Sequence, residues 1–597
     1  MKSRFASRRL SLLVRFVLVP FLLFGIGSLS ATAVQDSHPA KKQSSAAKPS
    51  APAQSPAWEA VGALRKGDVD TLTAYVKAHP AEFDDAMIAY NSGFALESFI
   101  KDNLKDTAKL SSKLVPLADA FGTVNPNGRT NFYWALSGTL LKHDVLLPFA
   151  ETLARKSVDD ITEPEFIAAQ KVEHQNYVKY LADKAAKDGK KPEESPFDEQ
   201  EALGRYQRDM SRRLTILGKI EIKLDEKKAA EADLTRAVAI NSNSDALLHL
   251  ARLAGERGDK SESVRFFTQA YLRGQLKAAE IDEFKHLYFE LHPGDEASLD
   301  QYLNAEYAKS FHNPAVSTPY QPDPHRSNRA VLLEVFTGAG CESCISVDLS
   351  ADAMLQRYSR SELVALFYQT SAPTDDPLSN KTVGLREDFY QTQRSAPHTF
   401  IDGEEIPAEG EAPKTREIDD KLMGIVEKRL DVVSPVELQL NAKRDGHRVQ
   451  VSVSGKGHKL PKTAQLQIML VEREVDYSGE NGLRDHPMVV RASANRTDNN
   501  TGYAISGSKF AQKCTFDLDQ ITADNLKWYD EYLAALRKRL PPSFEITGFK
   551  EKKNVMDWNK LAVVAFLQDE KTKQVLQSAY VVVQSNPATE ANANDAR

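Results

Sequence analysis

The apolar residues of this 597-residue chain change their spacing twice, which divides it into three regions of different secondary structure. From Trp58 to about Lys309 they recur three and four positions apart with few β-branched runs, the mark of helices. Between Ala330 and Leu430 short apolar runs alternate with helical segments, and after Ser434 the period falls to two. The length also demands several units, since a domain commonly takes about 150 residues. The expected fold class is therefore multidomain: an α-helical region over 58–316, an α/β domain over 325–432 and an antiparallel β-sandwich over 433–586.

Within the helical region, LGKIEIKLDEKKAAEADLTRAVAINSNS is echoed by LARLAGERGDKSESVRFFTQAYLRG, so that Leu217 corresponds to Leu250 and Ala237 to Ala270. An Asp, Asp225 or Asp259, is expected to open the second helix of each unit. The period and the small residues resemble tetratricopeptide repeats, in which helix pairs stack because one pair alone cannot bury its apolar face. ALRKGDVDTLTAYVKAHP (63–80) reads as another helix-turn-helix unit, and ADKAAKDGKKPEESPFDEQ (182–200) as a solvated insertion. A groove for a peptide or protein partner and a plain scaffold both fit this pattern.

STPYQPDPHRSNR (317–329), rich in Pro and Ser, marks a boundary. Beyond it, AVLLEVF (330–336) and ELVALFYQT (362–370) read as buried strands, with CISVDLSADAMLQRYS between them as a helix. NKTVGLREDFYQTQRS reads as a second helix, HTFIDGEEI as a hairpin turning at Asp402-Gly403, and TREIDDKLMGIVEKRL as a closing helix. In the last region PVELQLNAKRDGHRVQVSVSG is a hairpin around Asp445-Gly446. TAQLQIMLVEREV, HPMVVRAS, KCTFDL, LAVVAFLQD and VLQSAYVVV add strands, and ADNLKWYDEYLAALRKRL (523–540) a helix.

At the N-terminus arginines precede the apolar stretch Phe16–Leu29, which is shorter than the ~20 residues of a membrane span, and Ala31 and Ala33 follow. Residues 1–33 read as a signal peptide cut after Ala33, 34–57 as a disordered linker and 587–597 as a disordered tail. The expected location is exported, periplasmic or secreted, with membrane contact only through an uncleaved signal segment. A net charge of −6 gives no reason to expect nucleic acid. No phosphate-binding Gly loop, Gly-x-Ser-x-Gly elbow or HExxH occurs in the sequence, and no cofactor is expected.

Two of the three cysteines, Cys341 and Cys344, fall in GAGCESC, where a strand gives way to a helix. The helix dipole and free amide groups there favour a thiolate, so Cys341 is the expected nucleophile and Cys344 the resolving cysteine. A permanent disulfide staple is an alternative outside the cytoplasm. Zinc is another, but two cysteines and the nearby His398 are a thin ligand set, and no metal is expected. Cys514 alternates with Phe516 and Leu518 on one strand face and reads as a core thiol. His486, Arg491 and Asp476 near strand ends carry no catalytic expectation.

EVFTGAGCESC, followed by DDPLSN, REDFY and APHTFIDG, resembles a family of secreted bacterial thioredoxin-like proteins, and LVEREVDYSGENG, HPMVVR and VVAFLQDEKTKQVLQSA are similar to the β-sandwich of some members. The resemblance spans roughly 260 residues and leaves the helical half outside it. It implies a thioredoxin-like fold over 325–432, with Pro397 as the cis-proline that faces the cysteines and Glu334 as a buried acid that moves protons at the resolving one, its pKa raised by burial. A strand-edge turn and an edge-strand acid are the plainer readings of these two residues. Gly340 replaces the Trp usual before the first cysteine, and the acidic Glu342 in the spacer opposes thiolate formation. The expected function is a thiol-disulfide oxidoreductase acting on protein thiols or disulfides, with the helical repeats as a docking scaffold. The alternative is a non-catalytic envelope binding protein with a structural Cys341–Cys344 disulfide.

Overall fold

The computed structural model describes residues 56–585 apart from 65–66, 188, 190, 192–194, 316–325, 372–374, 496–501, 541–545 and 547. The expected signal segment and tail, and the expected linker up to residue 55, lie outside the described residues.

Fourteen α-helices among the described residues build the first half, from Pro56–Ala63 to Glu296–Ser310. Eight start behind an Asp or Asn whose side chain accepts a first-turn N–H: Asp68, Asp85, Asp106, Asn125, Asp198, Asn243, Asp259 and Asp295. The two clear repeats are the helix pairs Glu199–Lys223 with Lys227–Ile240 and Ser244–Glu256 with Lys260–Leu272, and Leu217, Ala237, Leu250 and Ala270 are all buried between them. Asp225 departs from the expected role. It takes a left-handed φ of 62° in the turn, and Glu226 occupies the N-cap without a side-chain bond. Its repeat counterpart is Gly258, with φ 83°, so only Asp259 caps. The expected insertion begins as the last turns of the helix Glu163–Lys187, whose buried residues are only Phe166 and Gln170.

Among the described residues thirteen strands follow: β1 Val331–Thr337, β2 Leu363–Gln369, β3 His398–Ile401, β4 Glu404–Glu405, β5 Val436–Asp445, β6 Arg448–Gly457, β7 Ala464–Asp476, β8 Asp485–Ser493, β9 Gly502–Ala504, β10 Lys509–Asp517, β11 Leu561–Asp569, β12 Val575–Val582 and β13 Gln584–Ser585. They form a nine-stranded sheet ordered β12-β11-β7-β8-β2-β1-β3-β4, with β9 on β7, and a four-stranded sheet ordered β10-β6-β5-β13. In the large sheet β1 and β2 are parallel while β3 runs antiparallel to β1. With the helices Ile345–Arg357, Lys381–Tyr390 and Thr415–Leu430 this gives a thioredoxin-like α/β region.

The drop in period at Ser434 does not interrupt the sheet, because β8 pairs with β2 at Phe367 and Val489. Asn380 fastens the join: its side chain accepts from Thr382 N–H to cap the helix Lys381–Tyr390 and donates to the Val490 carbonyl at 2.8 Å. Both faces of β7 and β11 are covered. Leu466, Ile468, Leu470, Val563 and Ala565 meet the small sheet's Val449, Val451 and Val453, while Met469, Val471, Val564 and Phe566 join the core of the thioredoxin-like region. Two-sided burial explains why QIMLV and LAVVAFL are nearly unbroken apolar runs. At the other end of the sheet the Asp402–Gly403 turn abuts the β11–β12 turn, where a Cβ on Gly403 (φ 83°) would meet the Lys573 carbonyl oxygen at 1.8 Å. No helix among the described residues is long and apolar enough to cross a membrane.

Candidate functional site

The site begins where β1 ends. Gly338–Gly340 leave the sheet, Cys341 precedes a 3-10 turn over Glu342–Cys344, and the helix Ile345–Arg357 continues from it. Cys341 and Cys344 form a disulfide with an S–S distance of 2.04 Å. The loop is held on several sides: Cys341 N–H donates to Gly338 O at 2.9 Å, Gly410 N–H to Ser343 O at 2.8 Å, and Ser346 N–H to Gly410 O at 2.9 Å. Glu342 and Ser343 are exposed, whereas Cys341 retains 2% of its accessible surface and Cys344 none. A reactive sulfur must be reached by an incoming thiolate, so this burial bears directly on what the pair can do.

Pro397 follows a cis Ala396-Pro397 peptide. His398 pairs with Phe336, so Pro397 lies beside the end of β1, at the sheet edge from which the cysteine loop departs. His398 itself turns elsewhere: Nδ1 is 2.7 Å from Glu405 and Nε2 2.9 Å from Ser395 Oγ.

Glu334 does not join this group. Successive strand residues face opposite sides. Thr337 faces the cysteine helix, where its hydroxyl donates to Asp348 Oδ2 at 2.7 Å, and Glu334, three residues earlier, therefore points to the other face. There its carboxylate accepts from Arg386 Nη2 at 2.6 Å, Tyr368 OH at 3.0 Å and Tyr390 OH at 2.5 Å. Gln568 of β11 closes the network, accepting from Arg386 and donating to Tyr390 OH. Burial opposes the charge on Arg386, but Glu334 outweighs it and holds the guanidinium pKa above its usual value. The proton-moving acid implied by the family resemblance is thus, in this chain, half of a buried ion pair across the sheet from the disulfide.

Two other acids sit on the cysteine side. Asp348 lies one helical turn beyond Cys344, the spacing at which side chains share a helix face. Its Oδ1 is buried with no hydrogen-bond partner among the described residues. Burial pushes its pKa up to about 8, against the Thr337 hydrogen bond and with help from the negative Asp376. Asp376 accepts from Ala339 N–H at 2.7 Å and from Leu378 N–H at 2.8 Å, fixing the loop two residues before Cys341. Burial raises its pKa to about 6 despite these two bonds. Neither acid carries an expectation from the sequence, although the i, i+4 spacing of Cys344 and Asp348 is visible there and Asp376 lies in DDPLSN.

The remaining polar candidates are structural. His486 Nε2 is 2.9 Å from Tyr477 O, and burial lowers its pKa to about 4. Arg491 pairs with Glu472 at 2.6 Å, and Asp476 accepts from Asn304 at 2.9 Å. Cys514 is a half-buried free thiol beside the small-sheet core, its pKa pushed to about 11 by burial.

No family model and no curated protein matches the chain. Among solved structures, HBP35 of Porphyromonas gingivalis is similar over 44% of this chain and 78% of its own, with 14% sequence identity and a TM-score of 0.30. A domain of the outer membrane lipoprotein Omp28 from Porphyromonas gingivalis is similar over 26% of this chain and 93% of its own, with 16% identity and a TM-score of 0.15.

Proposed function

We propose that the chain is an exported thiol-disulfide oxidoreductase that exchanges disulfides with protein substrates through Cys341 and Cys344, with the helical half as a docking scaffold. The observation that carries this reading is the CxxC disulfide at a strand-to-helix junction of a thioredoxin-like α/β region. When the dithiol form acts, the Cys341 thiolate attacks a substrate disulfide and expels one substrate thiolate. Cys344 then attacks the Cys341 sulfur of the mixed disulfide, releasing the second thiolate and re-forming the internal bond. Run backwards, the same steps oxidise a substrate dithiol. In either direction Cys344 exchanges a proton, and Asp348, on its helix face with a free buried oxygen, is the acid we assign to that exchange.

The test is to equilibrate the purified chain in glutathione buffers, alkylate the free thiols, and repeat with Cys344→Ser in the presence of extracts containing envelope proteins. A measurable midpoint potential and mixed disulfides trapped on Cys341 are the expected results. A pair that stays oxidised under strongly reducing conditions, with nothing trapped, rejects the reading.

One observation favours a second reading, a non-catalytic binding protein whose disulfide is a staple: both cysteines are buried. In that case Cys341→Ser lowers stability, while the partners recovered on the helical half are unchanged.

A further inference from the structure

Connecting loops ordinarily lie at the surface, but the loop that joins β7 to β8, Tyr477–Arg484, has Tyr477, Ser478, Gly479, Leu483 and Arg484 buried. One side of it lies on the cysteine loop. Asn481 N–H donates to Ala339 O at 2.9 Å, its side-chain amide reaches Gly338 O at 3.4 Å, and a Cβ on Gly479 would stand 2.5 Å from Ala339 O. The other side lies on the helical half. Gly274, at φ 70° after the helix Lys260–Leu272, approaches so closely that a Cβ there would stand 2.0 Å from Gly479 O. Gly274, Gly479 and Ala339 are therefore stacked backbone on backbone, with no room for a side chain at either glycine.

Polar contacts clamp this stack from both ends. Lys550 Nζ donates to the Gly274 carbonyl and to Ser478 O. At the far end the fully buried Arg484 donates to Asn304 Oδ1 at 2.5 Å and Asp300 Oδ1 at 2.8 Å, both on the helix Glu296–Ser310.

We propose that docking of the helical half holds the Tyr477–Arg484 loop down as a shield over the Cys341–Cys344 loop, so that the disulfide meets an external thiol only when the two lift away together. As control of the exchange proposed above, the shield rests on that reading; the accessibility of the disulfide does not. An incoming thiolate must form a bond to one cysteine sulfur while the other leaves as a thiolate, and a clamped loop with both cysteines buried offers no approach for that step. Reduction then proceeds through the fraction of molecules with the shield open.

The full-length oxidised chain is mixed with dithiothreitol, which donates two electrons and closes to its own cyclic disulfide, and the thiols released at Cys341 and Cys344 are followed by alkylation. Gly274→Ala inserts a methyl group into the stack. Gly258→Ala is the control, since it imposes a side chain at a similar φ of 83° in the preceding repeat turn with no neighbour within 4 Å. Gly274→Ala is expected to be reduced about tenfold faster than the wild type, with Gly258→Ala unchanged. Equal rates for all three chains, or equal acceleration by both substitutions, overturns the proposal. If Gly274→Ala does not fold, Asn304→Ala, which removes one acceptor of Arg484 at the other end, gives the same comparison. Activity on protein disulfides is not part of the readout, so a chain that is reduced readily but passes no electrons to a protein substrate rejects the exchange reading and leaves the shield standing.

Discussion

Asp348 joins the disulfide's helix to the last residue of β1 through Thr337, and its own protonation couples the site to pH. In the folded chain it keeps its proton to about pH 8, against 3.8 for the free side chain, because burial disfavours the anion. Folding therefore takes up a proton anywhere between those values. With more protons bound in the native state than in the unfolded one, stability falls as pH rises through this window, and the loss is complete above the folded value. Asp348→Asn removes that dependence while keeping an acceptor for Thr337. Urea unfolding at pH values spaced across the window should show the variant gaining on the wild type by up to about 1.4 kcal/mol per pH unit. A constant difference across the series would exclude the coupling. Glu334 marks the limit of what one residue's sequence context discloses. Burial of the acid within the apolar run AVLLEVF is one of two readings that the sequence leaves open, and neither its partner Arg386, 52 positions later, nor the sheet face that it takes is legible there.

At the scale of elements the chain was largely readable. After Ala330, apolar period and Asp-Gly turns give the helices and strands close to their observed limits, because those signals act within a few residues, whereas in the helical half only the two clear repeats and the 63–80 unit are delimited by the sequence. The misreading of Asp225 shows why a motif must be placed in register before it is interpreted: the residue that matches it one repeat later is Gly258, at the left-handed position of the turn. The two aspartates should therefore respond differently. Asp259→Ala, which strips the Glu262 N–H of its acceptor, is expected to cost about 1 kcal/mol in thermal or urea unfolding, whereas Asp225→Gly should be neutral or stabilising. A loss of similar size at both positions would mean that Asp225 carries a bond beyond its turn.

Across the whole molecule, what no local pattern conveys is that one core gathers Val335, Leu366 and Ile418 from the thioredoxin-like region with Met469, Val490 and Phe566 from the strands after Ser434. Residues 325–432 expressed alone would lose those side chains, the Gln568 end of the Glu334 network and the strand that covers the edge of β2. We expect such a fragment to unfold without a cooperative transition by circular dichroism, and a sharp, reversible melt would show that the shared core is dispensable. The pairing of Phe367 with Val489, and of β7 with β11, also sets the timing of assembly. Contacts between residues so distant along the chain form late, since a long loop must close before they return any free energy. A chain that emerges N-terminus first can complete its helices from local contacts while β2 waits, edge exposed, for β8 to be made, and the central sheet closes only once β11 has arrived. The order of synthesis thus makes the helical half the first finished surface against which the sheet is laid down.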